Sequence, residues 1–291
     1  MSIAISALAL SLASAERVSA DDVEETIPVR PGGTLGIDLD RGVVRVSSHD
    51  ANEVRIEAHA SGFSSWFGGF DLTRDGNDVH LQGEFRHAFL FVPWGPRVTV
   101  NAWVPREYSV VVHTRGGSID VHDITGRTIA KTSGGSIDLQ HANGPASLET
   151  SGGPIRAEAV KGSIIAKTAG GGITLEDVDG NVEVETSGGP VTVKEVTGRI
   201  EAKTSGGGID VSFIGAPSGD LHTSGGGIAV AFPSHVGVDL DAETSGGRVV
   251  VEQEIALSGT ADKRHVVGKI NGGGAPLRLH TSGGSIRVRA L

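Results

Sequence analysis

A four-residue motif, Thr-Ser-Gly-Gly or a close variant, recurs along the chain at a nearly fixed spacing. Its nine copies begin at Thr114, Thr132, Thr150, Thr168, Thr186, Thr204, Thr223, Thr244 and Thr281. The first five intervals are all 18 residues, and intervals of 19, 21 and 37 follow. Such a period is typical of a repeat architecture, in which every unit adopts the same local structure.

Between the motifs, apolar and polar residues alternate in two short runs per unit. Five and seven residues after Thr132 come Ile137 and Leu139, with Asp138 between them. In the following unit a second apolar pair, Ile164 and Ala166, precedes the next threonine. Alternation with period two directs one side of a strand inward and the other outward, so each unit predicts two short strands joined by two corners.

Two strands of this length bury too little apolar surface to be stable alone. Each unit must therefore share its core and its backbone hydrogen bonds with the units above and below it. We expect an all-β fold, a single-stranded parallel β-solenoid (β-helix) with coils of about 18 residues over residues 113–291. A sandwich of hairpins would instead show Asn-Gly turns and loops of variable length.

Paired glycines occupy the corner of nearly every coil, and glycine makes up 44 of the 291 residues. Glycine fits where successive backbones approach closely, and it also adopts positive φ without strain. We expect both reasons to apply at the corners. The predicted structural turn residues are Gly134, Gly135, Gly152, Gly153, Gly170, Gly171, Gly188, Gly189, Gly206 and Gly207.

The residue before each motif alternates in charge along five consecutive coils, namely Lys131, Glu149, Lys167, Glu185 and Lys203. In a stacked register these side chains lie above one another, each beside an opposite charge. An exposed pair stabilises by only about 0.2–1 kcal/mol. The alternation therefore indicates the register, because a slip by one coil would place like charges together.

The two ends of the repeat region differ from its centre. Residues 27–112 alternate without the 18-residue unit, which predicts a small β-sheet domain that caps one end of the solenoid. Residues 252–269 interrupt the period and predict an irregular excursion, a loop or hairpin that leaves the stack. At the other end, Arg287 and Arg289 point outward and are expected to blunt a terminal edge strand.

Residues 1–20 are expected to be a signal peptide. An uncharged apolar run ends in two sites with small residues, Ala13-Ser14-Ala15 and Val18-Ser19-Ala20. No Lys or Arg precedes the run, which is unusual for a signal peptide. With cleavage the protein is exported to the periplasm, the outer surface or the medium, and without cleavage it is cytoplasmic. No other segment is apolar for long enough to span a membrane.

Ten of the 12 aromatic residues fall between Phe63 and Tyr108. Exposed rings stack on sugars or anchor a protein partner, whereas buried rings form a core. The favoured interpretation is that the aromatic residues form the core of the N-terminal domain. The candidates for an exposed binding surface, for a cell-surface glycan or an envelope protein, are Trp66, Phe67, Phe70 and Trp94.

The sequence predicts no enzyme, no catalytic residue, no metal site and no cofactor. Without cysteine, thiolate metal sites and thiol catalysis are excluded. The outward acids, such as Asp120, Asp138 and Asp210, occupy regular positions of the repeat, as a solvated face does. A formal net charge of −10 disfavours binding of nucleic acid through overall charge.

The pattern Thr-Ser-Gly-Gly-x-Ile-x-Val, together with Val29-Arg30-Pro31-Gly32-Gly33 and the stretch from Asn271 to Gly274, resembles a family of bacterial β-strand-repeat proteins described as candidate adhesins. The resemblance covers residues 27–291 and implies a β-solenoid, often exported or envelope-associated. It implies a non-enzymatic module that binds ligands or has a structural role in the cell envelope. The alternatives are a carbohydrate-active β-helix enzyme and a regulatory scaffold in envelope stress.

Overall fold

The computed structural model describes residues 17–20, 22–61, 68–85, 97–252 and 257–291. Every regular element in these ranges is a β-strand, so none of them contains an apolar helix of membrane-spanning length. The strands are β1 (Arg17–Ala20), β2 (Asp22–Pro28), β3 (Thr34–Leu39), β4 (Val43–His49), β5 (Glu53–Ser61), β6 (Gly68–Asp75), β7 (Asp78–Phe85), β8 (Arg97–Pro105), β9 (Ser109–Thr114), β10 (Ile119–His122), β11 (Thr128–Thr132), β12 (Ile137–Asn143), β13 (Ala146–Thr150), β14 (Ile155–Lys161), β15 (Ile164–Thr168), β16 (Ile173–Asp179), β17 (Val182–Thr186), β18 (Val191–Val196), β19 (Ile200–Thr204), β20 (Ile209–Phe213), β21 (Gly219–Thr223), β22 (Ile228–Phe232), β23 (Val238–Thr244), β24 (Val249–Val251), β25 (Leu257–Ala261), β26 (His265–Ile270), β27 (Ala275–Thr281) and β28 (Ile286–Ala290).

The strands form two long sheets that enclose one continuous apolar core. The first sheet has 15 strands in the order β1-β6-β7-β3-β9-β11-β13-β15-β17-β19-β21-β27-β23-β26-β25. The second sheet has 13 strands in the order β2-β5-β8-β4-β10-β12-β14-β16-β18-β20-β22-β28-β24. Each regular coil contributes one strand to each sheet, so both sheets grow by one rung for every repeat.

Neighbouring coils pair in parallel and in register. Ile137 of β12 lies beside Ile155 of β14, which lies beside Ile173 of β16. All three side chains are at most 1 % exposed, and the residues between the inward positions face outward. The predicted all-β parallel solenoid with coils of 18 residues is therefore confirmed.

At the corner opposite the paired glycines, five residues without the freedom of glycine adopt the left-handed backbone conformation. They recur every 18 residues with φ between 53° and 60°: Asp123, His141, Ala159, Asp177 and Glu195. An L-residue is strained in this region because its Cβ crowds the carbonyl oxygen, although Asp and His tolerate it better than most. The backbone hydrogen bonds to neighbouring coils hold the chain in this conformation on five consecutive coils.

The last coil of the sequence is not the last coil of the stack. Strand β27 pairs in parallel with both β21 and β23, and β28 pairs with both β22 and β24. The prediction that Arg287 and Arg289 blunt a terminal edge is therefore wrong, because β28 is an interior strand. Within the predicted excursion at 252–269, β25 and β26 form an antiparallel hairpin that extends the first sheet instead of leaving the stack.

The N-terminal region shows the same type of insertion. Strand β3 lies between β7 and β9, and β4 lies between β8 and β10, in each case with parallel pairing. Residues 27–112 therefore supply rungs of the same two sheets and the same core, and the expected separate capping domain needs correction. The end of the stack is covered by antiparallel strands, β5 and β2 in one sheet and β6 and β1 in the other.

Candidate functional site

In every motif except the first, at Thr114, the threonine hydroxyl forms a hydrogen bond to a neighbouring coil. Thr168 is 7 % exposed, and its hydroxyl donates to the carbonyl oxygen of Gly153 in the preceding coil at 2.9 Å. The hydroxyl oxygen of Thr168 in turn accepts a hydrogen bond from the backbone N–H of Gly171 at 3.3 Å. Donor distances of 2.6–3.0 Å recur at Thr132, Thr150, Thr168, Thr186, Thr204, Thr223, Thr244 and Thr281. The predicted repeat depends on this bond, which the motif itself did not reveal.

The two glycines of each corner have different roles. A Cβ on the second glycine would lie only 2.0–2.1 Å from the carbonyl oxygen of the glycine one coil earlier, at Gly135, Gly153, Gly171, Gly189 and Gly207. A Cβ on the first glycine would meet no atom closer than 3.2 Å, at Gly134, Gly152, Gly170, Gly188 and Gly206. None of these ten residues has a left-handed φ, so the expectation of positive φ is wrong for them. Close backbone approach explains the second glycine of each corner but not the first.

The charge ladder lies on the outer face of the first sheet in the predicted register. The Nζ atom of Lys131 lies 2.8 Å from Glu149 Oε2. Lys167 Nζ lies 3.8 Å from Glu185 but only 2.6 Å from Glu183, two residues before it on the same strand. This hydrogen bond to Glu183 is the main reason that the pKa of Lys167 is raised. The lysines of the ladder therefore contact acids at diagonal positions of a neighbouring strand as well as the acids directly beside them.

Of the four candidates for an exposed aromatic surface, the structure describes Phe70. Phe70 is fully buried on β6, and its ring meets Phe85 edge to face with centroids 5.3 Å apart, so its assignment to an exposed surface is wrong. Phe70 occupies an inward position of the strand alternation, which explains its burial. Trp66, Phe67 and Trp94 lie outside the described residues. The half-buried Trp103 carries the guanidinium of Arg55 over its ring, 5.2 Å from the centroid.

A groove of about 560 Å³ lies on the outer face of the second sheet, over its last strands. Its floor is formed by residues with little or no side chain, Gly208, Gly227 and Ala229. Pro190 and Thr192 line one side, on coils that precede the floor. The outward position that Thr192 occupies on its coil carries alanine, Ala229, on β22. The groove exists because this side chain is shorter than those at the same position on earlier coils.

Charged side chains border this groove. Along one register the outward residues of consecutive strands are Asp210, Ala229, Arg287 and Val250. Arg248 lies at the adjoining corner, where its backbone N–H donates to the Ser285 hydroxyl at 3.2 Å. All three charged residues are exposed. The inserted strand β28 thus brings arginines next to the small residues of β22, a neighbourhood that the linear sequence conceals.

On the first sheet, a pair of stacked histidine rings lies where the inserted strand β27 pairs with β21. The rings of His222 on β21 and His280 on β27 are parallel, with centroids 5.0 Å apart. Burial lowers the pKa of His222, and the neighbouring His280 and Lys203 lower it further. His280 Nδ1 lies 3.7 Å from Glu243 Oε2.

The outward acids remain at regular repeat positions. Asp120 and Asp138 lie side by side on β10 and β12. Burial raises the pKa of Asp120 above its ordinary value, and Asp138 adds to the rise, while Arg45 at 3.5 Å opposes it. Across the parts of the chain that the structure describes, no group of three or more His, Asp or Glu side chains is placed to hold a metal ion. This geometry resembles a solvated face more than a catalytic pair.

The chain matches a known protein family over most of its length. The family described as Toastrack DUF4097 matches residues 33–289. No curated protein matches the sequence. A candidate cell adhesion protein from Clostridium sporogenes ATCC 15579 is 14 % identical over 93 % of this chain and 100 % of its own, with a TM-score of 0.25. A candidate adhesin from Bacteroides fragilis NCTC 9343 is 11 % identical over 95 % of this chain and 97 % of its own, with a TM-score of 0.28.

Proposed function

Since the chain belongs to the Toastrack DUF4097 family, we propose that it uses this β-repeat fold as a non-enzymatic, exported ligand-binding module of the cell envelope, similar in role to an adhesin. The observation that carries the proposal is the groove over Gly208, Gly227 and Ala229, where the outer face of the second sheet becomes concave. Concave sites with a few placed polar groups are the usual form of ligand sites.

The scaffold beneath the groove supports a binding role. Three of the strands that line it, β20, β22 and β28, are hydrogen-bonded on both sides, and β24 forms the edge of the sheet beside them. A surface held in this way loses little conformational freedom when a ligand binds, so more of the contact energy appears as affinity. A glycan of the cell surface is the ligand class that we propose for this site.

The groove is tested by filling it. Ala229→Trp places a large ring on the floor, while Thr174→Trp places the same ring at the equivalent outward position of β16, outside the groove. Both purified variants are compared with the wild type on an array of neutral and acidic glycans, after thermal unfolding has shown that they are folded. We expect Ala229→Trp to lose the glycans that the wild type and Thr174→Trp retain. Binding of no glycan by the wild type, or equal binding by Ala229→Trp, would overturn the proposal.

Export is tested on the N-terminus. Residues 1–16 of the expected signal peptide lie outside the described residues, and residues 17–20 form β1, which pairs with β6. Cleavage after Ala15 would retain this strand, whereas cleavage after Ala20 would remove it. Mass spectrometry of the intact protein, expressed from its own start codon, distinguishes the two sites. An uncleaved N-terminus would contradict export through this segment.

A further inference from the structure

We propose that the groove on the second sheet binds an anionic polysaccharide, an extended glycan chain that carries carboxylate or sulfate groups. This inference rests on the proposed function and names its ligand class. It starts from Arg248, Arg287 and Arg289, three exposed arginines at one end of the second sheet. An arginine presents a planar fork of donors that matches carboxylate and sulfate oxygens.

Among the described residues, no acid forms an ion pair with these arginines. Some other cations do have acidic partners, as Arg199 has in Asp220, while Arg156 and Lys194 have none within the described ranges, so position distinguishes the arginines of the groove. Arg248 and Arg287 line the groove, and their positive charge is available to an external anion there.

The inserted strand sets the spacing of the site. Arg287 and Arg289 are two residues apart on the outer face of β28, so their Cα atoms are about 6.6 Å apart. Ala229 and Arg287 are register partners and both line the groove, so the short side chain of Ala229 leaves space beside Arg287. Ala231, the register partner of Arg289, is buried, so the open part of the groove lies beside Arg287 and Arg248.

The remaining neighbours favour a sparsely charged glycan over nucleic acid. Asp210 borders the groove opposite Arg287, and Glu252 follows the end of β24 beside Arg289. Double-stranded DNA carries one charge per about 1.7 Å of its axis, so many of its phosphates would face these acids and the net charge of −10. A polysaccharide with about one charge per sugar can place its acidic groups on the arginines and its hydroxyls on Asp210.

Charge-neutral variants test the inference. Arg287→Gln/Arg289→Gln removes the charge of Arg287 from the lining of the groove and the charge of Arg289 from the next outward position of β28. Arg156→Gln removes one charge from the same outward row on β14, outside the groove. Binding of polygalacturonate, dextran sulfate, neutral dextran and a single-stranded oligonucleotide is measured by calorimetry at low and high salt. We expect the wild type to bind polygalacturonate or dextran sulfate, which identifies carboxylate or sulfate as the group recognised. Each lost arginine contact should weaken binding about tenfold. Added salt should weaken it as well, since exposed charges are screened.

The outcomes separate this inference from the proposed function. Loss of acidic polysaccharide binding in Arg287→Gln/Arg289→Gln, with retention in Arg156→Gln, supports the inference. Dextran binding as tight as polygalacturonate binding, and unchanged in the double variant, would overturn it while leaving a glycan-binding groove. Preferential binding of the oligonucleotide, or wild-type affinity of the double variant for the acidic polymers, would also overturn it. If the wild type binds no polymer and no glycan of the array, the proposed function itself fails.

Discussion

Replacing the corner threonine with valine isolates the bond that fastens one coil to the next. Thr168→Val keeps the shape of the side chain and removes only the hydroxyl, which donates to Gly153 O at 2.9 Å and accepts from Gly171 N at 3.3 Å. Because Thr168 is only 7 % exposed, water does not readily replace the lost partner. Both backbone groups then lose the partner that the hydroxyl supplied.

The expected loss follows from the cost of unpaired polar groups. Leaving a buried donor or acceptor without its partner costs about 1–3 kcal/mol. The free energy of unfolding of Thr168→Val should fall by that amount. Thr168→Ser keeps the hydroxyl and loses one methyl group, so it should cost about 0.8 kcal/mol or less. Thr174→Val, at an exposed outward position, should change stability by less than about 0.5 kcal/mol.

Equilibrium unfolding in urea measures all three variants. The midpoint should shift while the slope stays constant, which shows that the same surface is exposed and that a single transition is compared. A constant slope matters here because repeat proteins can unfold in separate stages. If Thr168→Ser is destabilised as much as Thr168→Val, or if Thr168→Val is as stable as the wild type, the hydroxyl does not fasten the coils.

Three further predictions concern the corners and the tyrosine. Gly153→Ala should lower the free energy of unfolding by about 1–3 kcal/mol, because its Cβ would lie 2.1 Å from a backbone oxygen. Gly152→Ala, whose Cβ would lie 3.6 Å from the nearest atom, should be tolerated in the same urea titration. Ala159→Gly should stabilise by roughly 0.5–1 kcal/mol because Ala159 has a φ of 54°; lower thermal stability would contradict this. Burial, with a contribution from Asp78, raises the pKa of Tyr108 from its ordinary value of 10.0 to about 12. A tyrosine with a raised folded pKa contributes stability that is present below the unfolded pKa and is lost as pH rises from 10 towards 12. As Tyr108 is the chain's single tyrosine, tyrosinate absorbance reads it directly, and an ordinary titration midpoint would refute the shift.

The regular coils could be predicted from sequence because each of their features repeats in the same register. Ile137, Ile155 and Ile173 share one position of the repeat, and stacking is the arrangement that buries all three. The alternating charges predicted the same register independently. The pattern did not show why threonine recurs in the motif. A threonine whose hydroxyl bonds to the neighbouring coil and a threonine whose hydroxyl faces solvent look the same in the sequence.

The order of the terminal coils could not be predicted. The residues of β27 and β28 match those of any other coil, so nothing in them shows whether they follow β24 or lie before it. The 37-residue interval between Thr244 and Thr281 predicts an interruption, a loop or hairpin that leaves the stack. The hairpin β25–β26 instead extends the first sheet beyond β23, and the chain then turns back. As a result, β27 and β28 of the last coil pair with strands on both sides.

The candidate groove depends on that insertion. In a regular coil the outward neighbours are always one repeat apart, as Asp120 is from Asp138, so the surface shows the repeated sequence again. Ala229 and Arg287 are neighbours although 58 positions separate them in the sequence. Inserting a distant coil therefore allows small residues and arginines to meet while each strand keeps its own inward pattern. The outer face can change its charge and shape at this end of the stack without disturbing the core, and a ligand site is expected where the surface is free to differ from the repeat.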